Sequence, residues 1–207
     1  MKKLILACLL FWLSDAFAVN TIDSVKVTQS RACQNTSVSI SIYTHGFGSN
    51  DTLWSFLSLI GGSGYNPASP IDTKKNPNNT YTFSYTIPLA TTPGGYRIYV
   101  KGTGTSPMVD TFSNPFLVDT TTAITTQPSA QTKCAGQSAT FSVVAVGAGT
   151  LSYVWKKGTT PVGSNSPTYT IPAVALTDAG NYSVEVTSSV CGMLASSSVA
   201  LTVNDTV

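Results

Sequence analysis

Asp178-Ala-Gly-Asn-Tyr-Ser-Val184, read with Trp155 twenty-seven residues before Tyr182, decides the fold. Asp-x-Gly-x-Tyr leading into an alternating strand is the pattern of a tyrosine corner, where a chain crosses from one sheet of a β-sandwich to the other. The ring caps the core, the hydroxyl bonds back to local backbone, and a Trp on a facing strand packs between the sheets. Trp155, Asp178, Gly180 and Tyr182 are therefore the expected core signature.

Working outward, no segment after residue 18 has a helical period. Short alternating runs rich in Val, Ile, Thr, Tyr and Phe are punctuated by Gly, Pro and Asn, an all-β pattern. Strands are expected near Ile22–Thr28, Ser37–Thr44, Thr52–Leu59, Thr80–Ile87, Tyr96–Lys101 and Phe112–Val118. A second set falls near Ala123–Gln127, Ser138–Val146, Leu151–Lys157, Thr168–Ile171, Asn181–Thr187 and Ser196–Val203. The break lies in Asp119-Thr-Thr-Thr-Ala123, which predicts one β-sandwich over 19–119 and another over 120–207. The two halves read as distant repeats. Cys33 is followed at five, seven, nine and thirteen residues by Val38, Ile40, Ile42 and Gly46. Cys134 is followed at the same offsets by Ala139, Phe141, Val143 and Gly147, and Trp54 and Trp155 each lie 21 residues past their Cys.

The N-terminus has another purpose. Lys2 and Lys3 precede the apolar run Leu4–Leu13, and Ala16-Phe17-Ala18 is an A-x-A cleavage site, so residues 1–18 read as a secretory signal peptide. Ten apolar residues fall short of the roughly 20 needed to span a bilayer. Cys8 follows a poor lipobox, which disfavours a lipoprotein. Cleavage lowers the basic count from 11 to 9 and the acidic count from 9 to 8, leaving a net charge of +1. That is no basic stripe for nucleic acid and no electrostatic anchor for an anionic membrane.

Residues 123–203 resemble the immunoglobulin-like domains strung in tandem in large secreted and surface proteins of gliding and environmental bacteria. The matching pieces are CAGQSATFSV at 134–143, LSYVWKKG at 151–158, TYTI at 168–171, DAGNYSVEV at 178–186 and SSVALTV at 197–203. Residues 21–118 resemble the companion β-domain of such proteins through CQNTSVSISI at 33–42, LWSFLSL at 53–59 and IPLATTPGGYRIYVKGTGTSP at 87–107. The resemblance implies two tandem sandwiches, specific to a fold and not to a ligand. The sorting domain that closes the full-length pattern does not follow Val203.

Three Cys remain after cleavage. The positions of strands B and F that hold the inter-sheet cystine of antibody domains are Val143 and Val184 here. Cys134 lies just before strand B and Cys191 in the turn after strand F. Placed together at one end of the sandwich, they are expected to pair on export, closing a loop worth about 4 kcal/mol on the chain-entropy model. Two buried thiols are the other reading. Cys33 has no partner near Thr105 and is expected to be unbridged within the chain: a buried thiol, a free one, or half of an intermolecular bridge.

Catalytic chemistry has little to stand on. His45 is the only His and sits in the Gly-rich turn Tyr43-Thr-His-Gly-Phe-Gly48, while Glu185 is the only Glu. No zinc spacing occurs and no pair of converging carboxylates is evident; loop oxygens such as those of Asn50 and Asp51 leave calcium open, but without an Asp-x-Asp-x-Asp run neither cofactor nor metal is expected, and a hydrolase is the least favoured reading. Any binding is expected to reside in the long loops Gly61–Asn79 and Lys101–Asp110, with Tyr65 the candidate contact for an extracellular protein or glycan; the favoured reading of that loop by itself is an ordinary solvated turn with Tyr65 folded back on its own sheet. The alternative is a passive spacer. Asp23-Ser-Val, Asp51-Thr-Leu, Asp119-Thr-Thr and Asp205-Thr-Val resemble bacterial O-glycosylation acceptors, a weak signal in a Thr-rich chain.

Overall fold

The computed structural model describes residues 21–47, 51–60, 70–75, 77, 79–102 and 110–205. The expected signal peptide, Tyr65, and most of both long loops lie outside these residues. The described chain is built of strands, with one short 3-10 turn at Leu176–Asp178.

In the first half the strands are β1 (Thr21–Val27), β2 (Arg31–Cys33), β3 (Ser37–His45), β4 (Thr52–Leu59) and β5 (Asp72–Lys75), followed by β6 (Asn79–Thr86), β7 (Gly94–Gly102), β8 (Asp110–Phe112) and β9 (Phe116–Asp119). One sheet has the order β1-β3-β6 and the other β2-β9-β7-β4-β5, with β8 on β7. All pairs are antiparallel except β2 with β9, which run parallel with Cys33 opposite Asp119. Alternation drives this pairing. On β3, Val38, Ile40, Ile42 and Thr44 point inward between solvent-facing or half-buried neighbours. They meet Tyr96, Ile98 and Val100 of β7, together with Leu53, Ile87, Phe116 and Val118, in one core.

The second half repeats the plan. Its first strands are β10 (Ala123–Thr126), β11 (Gln131–Cys134), β12 (Ala139–Ser142), β13 (Val144–Val146) and β14 (Leu151–Lys157). They are followed by β15 (Thr160–Val162), β16 (Thr168–Ile171), β17 (Gly180–Ser188), β18 (Gly192–Ala195) and β19 (Val199–Asn204). The pairs β10-β13 and β12-β16 form one layer, and β11-β19-β17-β14-β15 the other, with β18 on β17. Here too a single pair is parallel: β11 runs alongside β19 with Cys134 opposite Asn204. A separate core gathers Ala139, Phe141, Val143, Trp155, Val174, Tyr182, Val184, Val186 and Leu201.

Two sequence expectations change. The strand expected at Ser138–Val146 is split into β12 and β13, and that at Phe112–Val118 into β8 and β9. The Trp54–Trp155 correspondence fails. Trp155 is fully buried opposite Val184, whereas Trp54 is half-buried and the residue opposite Ile98, the counterpart of Val184, is Leu57. Strand β4 enters its sheet three positions out of step with β14, so equal spacing from the Cys does not deliver the two indoles to equivalent sites.

Candidate functional site

The tyrosine corner is assembled from the stretch that opened the reading. The Asp178 carboxylate accepts from the Ala175 N–H at 2.8 Å, closing the 3-10 turn, and the Asp178 carbonyl accepts from the Tyr182 hydroxyl at 2.8 Å. Gly180 adopts φ +146°, and a Cβ there would come 3.1 Å from the Lys157 side chain. Tyr182 stacks on Phe141 at 4.8 Å between centroids, Trp155 lies 6.2 Å from both Phe141 and Tyr169, and the indole Nε1–H donates to the Ser166 carbonyl at 2.9 Å. Burial, with smaller contributions from Tyr169 and Asp178, pushes the Tyr182 phenol up to about 12. The first half contains a second corner. The Tyr96 hydroxyl donates to the Thr92 carbonyl at 2.7 Å, over the same four-residue span. Thr92-Pro-Gly-Gly-Tyr96 shares x-x-Gly-x-Tyr with Asp178–Tyr182 and was readable as such.

The cysteines are where the structure departs most from expectation. Cys33 is bonded to Cys191, with Cα atoms 5.8 Å apart, and among the described residues Cys134 is the free thiol. Strand polarity explains why Cys134 and Cys191 do not pair. Cys134 sits beside Asn204, past the Gly180 end of β17, because β19 lies antiparallel to β17 with Leu201 opposite Gly180. Cys191 lies in the β17–β18 hairpin at the Ser188 end. The nine-residue strand β17 separates them, about 30 Å at 3.3 Å per residue, whereas a disulfide tolerates about 4.4–6.8 Å between Cα atoms. The turn after β2 instead meets the β17–β18 hairpin of the other half.

Around this disulfide the connector is held on both sides. Gln34, a buried side chain, donates to the Thr91 carbonyl at 2.6 Å and accepts from the Thr121 N–H at 3.2 Å. The Thr122 hydroxyl donates to the Gly192 carbonyl at 2.9 Å, and the Ala148 N–H to the Thr120 carbonyl at 3.2 Å. The buried Ser188 hydroxyl shapes the hairpin, donating to the Ala148 carbonyl at 2.5 Å and accepting from the Cys191 N–H at 2.9 Å. Arg31 pairs with Asp119 at 2.7 Å at the strand end that leads into the connector.

Other polar groups do not converge on a reacting centre. The exposed His45 Nδ1 meets the Asp23 carboxylate, which is itself held below the usual carboxylate range first by the Thr21 hydroxyl. That hydroxyl bonds the carboxylate and not the imidazole, so the arrangement lacks the nucleophile–base contact of a triad. Lys156 and Glu185 pair at 2.5 Å on the outer face of the β14–β17 sheet. Burial raises the Asp72 carboxyl, one of whose oxygens has no hydrogen-bond partner. A shallow groove of about 530 Å³ between Lys157, Thr160, Val162 and Asn181 offers one ammonium, already donated to the Thr177 carbonyl. Among the described residues no group of three His, Cys, Asp or Glu could hold a metal, and no helix is long and apolar enough to cross a membrane.

No protein-family model matches this chain, and no characterised protein matches it by sequence. Solved structures do match in shape. The eight N-terminal Ig domains of the Down Syndrome Cell Adhesion Molecule superpose with a TM-score of 0.58 at 15% identity, covering 91% of this chain and 25% of that one. The titin fragment I67–I69 in its E-to-A variant gives 0.52 at 14% identity, covering 92% and 67%. Drosophila OTK extracellular domains 3–5 give 0.52 at 15%, covering 88% and 63%. The chain thus spans a quarter to two thirds of these structures. At such identities the likeness defines a fold: all-β and immunoglobulin-like.

Proposed function

We propose that the chain is a non-catalytic, exported protein of two immunoglobulin-like modules, residues 19–119 and 120–207 behind a signal peptide at 1–18. It acts at the cell surface or in the medium by binding protein or glycan through its loops. The observation that carries this reading is the Cys33–Cys191 disulfide. Such bonds persist in oxidising compartments, and this one joins residues flanking two separate cores. The scarcity of acid–base groups argues in the same direction: one His and one Glu. A neighbour in fold is named a cell adhesion molecule, and adhesion is the use to which this scaffold is put here.

The same disulfide favours a second reading, a spacer that holds another domain at a set distance. Glycan and extracellular-protein arrays probed with the full secreted chain separate the two. Binding that Tyr65→Ala weakens without lowering the melting temperature supports the loop reading. Binding indifferent to replacement of both long loops, or no binding at all, leaves the spacer. Turnover of a glycosidic, ester or peptide substrate that His45→Ala abolishes would overturn both.

A further inference from the structure

Cys33 and Cys134 occupy the same place in two copies of one turn. Each ends the strand that pairs in parallel with the last strand of its half, Cys33 opposite Asp119 and Cys134 opposite Asn204. The next residue donates to that partner's carbonyl: Gln34 N–H to Asp119 at 3.0 Å, Ala135 N–H to Asn204 at 2.9 Å. The one after donates across the sandwich, Asn35 to Ile87 and Gly136 to Val174, both at 2.8 Å, from left-handed φ values of +62° and +85°. Thr36 and Gln137 then close the turn onto the cysteine carbonyl at 3.1 Å each, and their side chains accept the cysteine N–H at 3.1 and 2.8 Å. Both cysteines are half-buried. One of these two sulfurs is bonded to a β-hairpin cysteine from the other half; the other is free.

We infer that Cys134 is the unfilled half of a second such joint, placed to form a disulfide with the hairpin cysteine of another immunoglobulin-like sandwich. The inference rests on the two-module reading above. What recommends this occupant is the joint the chain already contains: the same turn, in the same hydrogen-bonded frame, with a Cys191-type hairpin seated on it. One difference is informative. Ala135 replaces Gln34, the side chain that grips the connector, so the second joint relies on the sulfur and the turn without that grip. The partner can therefore arrive on the same polypeptide or on a separate chain, and the chemistry is common to both. The Cys134 thiolate attacks a small-molecule disulfide, oxidised glutathione, forming a mixed disulfide and releasing one glutathione thiol. The hairpin thiolate then attacks the Cys134 sulfur and expels the second. Two thiols have lost two electrons, the glutathione disulfide has gained them, and the two protons released by the protein thiols end on the glutathione.

Two arms test this in a buffer of oxidised and reduced glutathione. For the tandem arm, a second copy of residues 121–205 is joined after Asp205, which keeps the spacing from parallel strand to next module seen between Asp119 and Thr121. Peptide mapping without reduction is expected to join Cys134 to the appended copy's Cys191, with Cys33–Cys191 intact. Cys134→Ser in the same tandem leaves the appended hairpin thiol open to alkylation. For the separate-chain arm, the full chain is mixed with a Cys33→Ser/Cys134→Ser chain whose sole thiol after signal removal is Cys191. Pairing of Cys134 with that Cys191 at least tenfold over Cys134–Cys134 dimers supports the inference with a partner in trans. The inference is overturned if Cys134 stays alkylatable in the tandem and the separate chains pair only statistically; that second arm decides alone where the appended copy does not fold. Failure of the module reading is a different result, the absence of Cys33–Cys191 from the map of the unaltered chain.

Discussion

Trp155 is fully buried, contacts two aromatic rings and spends its one N–H on the Ser166 carbonyl. Truncation to Ala removes all three at a site whose neighbours are pinned by strand pairing, so Trp155→Ala is expected to cost about 3–5 kcal/mol in denaturant unfolding. Trp155→Phe should cost less but leave the Ser166 carbonyl without its donor. Tyr182 gives a pH signature. Its folded pKa is about 12 against an unfolded value near 10, because burial opposes the phenolate. Between those values the folded chain holds the proton and the unfolded chain has lost it. The stabilisation is therefore complete below pH 10 and lost as pH rises through 12, by roughly 2–3 kcal/mol at 1.4 per unit. Tyr182→Phe should lower stability by about 1 kcal/mol at pH 7 through the lost Asp178 bond and flatten most of the alkaline fall. The remainder belongs to Tyr169, Tyr96 and Tyr85, whose phenols are also raised, first by burial. An alkaline unfolding series that is unchanged in Tyr182→Phe would refute this account. These residues were legible because a Trp and a Tyr of this spacing have one economical use in a sandwich.

At the scale of elements, the long strands were readable, as were the four-residue β10 and β16, while several other short ones were not. β3 and β17 carry a full alternation and β7 and β14 part of one, whereas β2, β5, β11, β15 and β18 have three or four residues and are held by neighbours more than by their own pattern. Two of those short strands, β2 and β11, end in the cysteines, which is why the pairing was misread: without β2 and β11 no polarity can be assigned to Cys33 or Cys134. Their turns also make a prediction. Gly136 is left-handed at φ +85° with open space where a Cβ would stand, so Gly136→Ala isolates the backbone penalty, about 1–2 kcal/mol. Gly163 is also left-handed, but its Cβ would lie 2.6 Å from the Tyr169 ring. Gly163→Ala should therefore cost more than Gly136→Ala, as read from urea midpoints at constant slope. The reverse order would mean that the ring moves aside freely and the turn after β11 does not.

For the whole molecule, the two cores share no residue, and neither contains a cysteine. Among the described residues, what links them is the connector 120–122, four hydrogen bonds of 2.9–3.3 Å at Thr120, Thr121 and Thr122, and the Cys33–Cys191 disulfide. Hydrogen bonds with water nearby are worth about 1 kcal/mol each, so the covalent bond between residues 158 apart in sequence is the stronger constraint on the joint. Reduction is therefore expected to act on the angle between the halves and not on their interiors. Spin labels placed one in each half, at exposed Ser24 and Thr132, should give a narrow distance distribution in the oxidised chain and a much broader one in reductant or in Cys33→Ser/Cys191→Ser. The near-ultraviolet signal of Trp155 should stay unchanged, since no packed side chain is altered, while the free energy of unfolding should fall by up to about 5 kcal/mol, because the cross-link restricts the unfolded chain. A distribution that stays narrow after reduction would show that the threonine contacts suffice and that the disulfide only records a geometry fixed without it. Loss of the Trp155 signal on reduction would instead mean that the cores are not independent, which would remove the physical basis for treating the halves as separate modules.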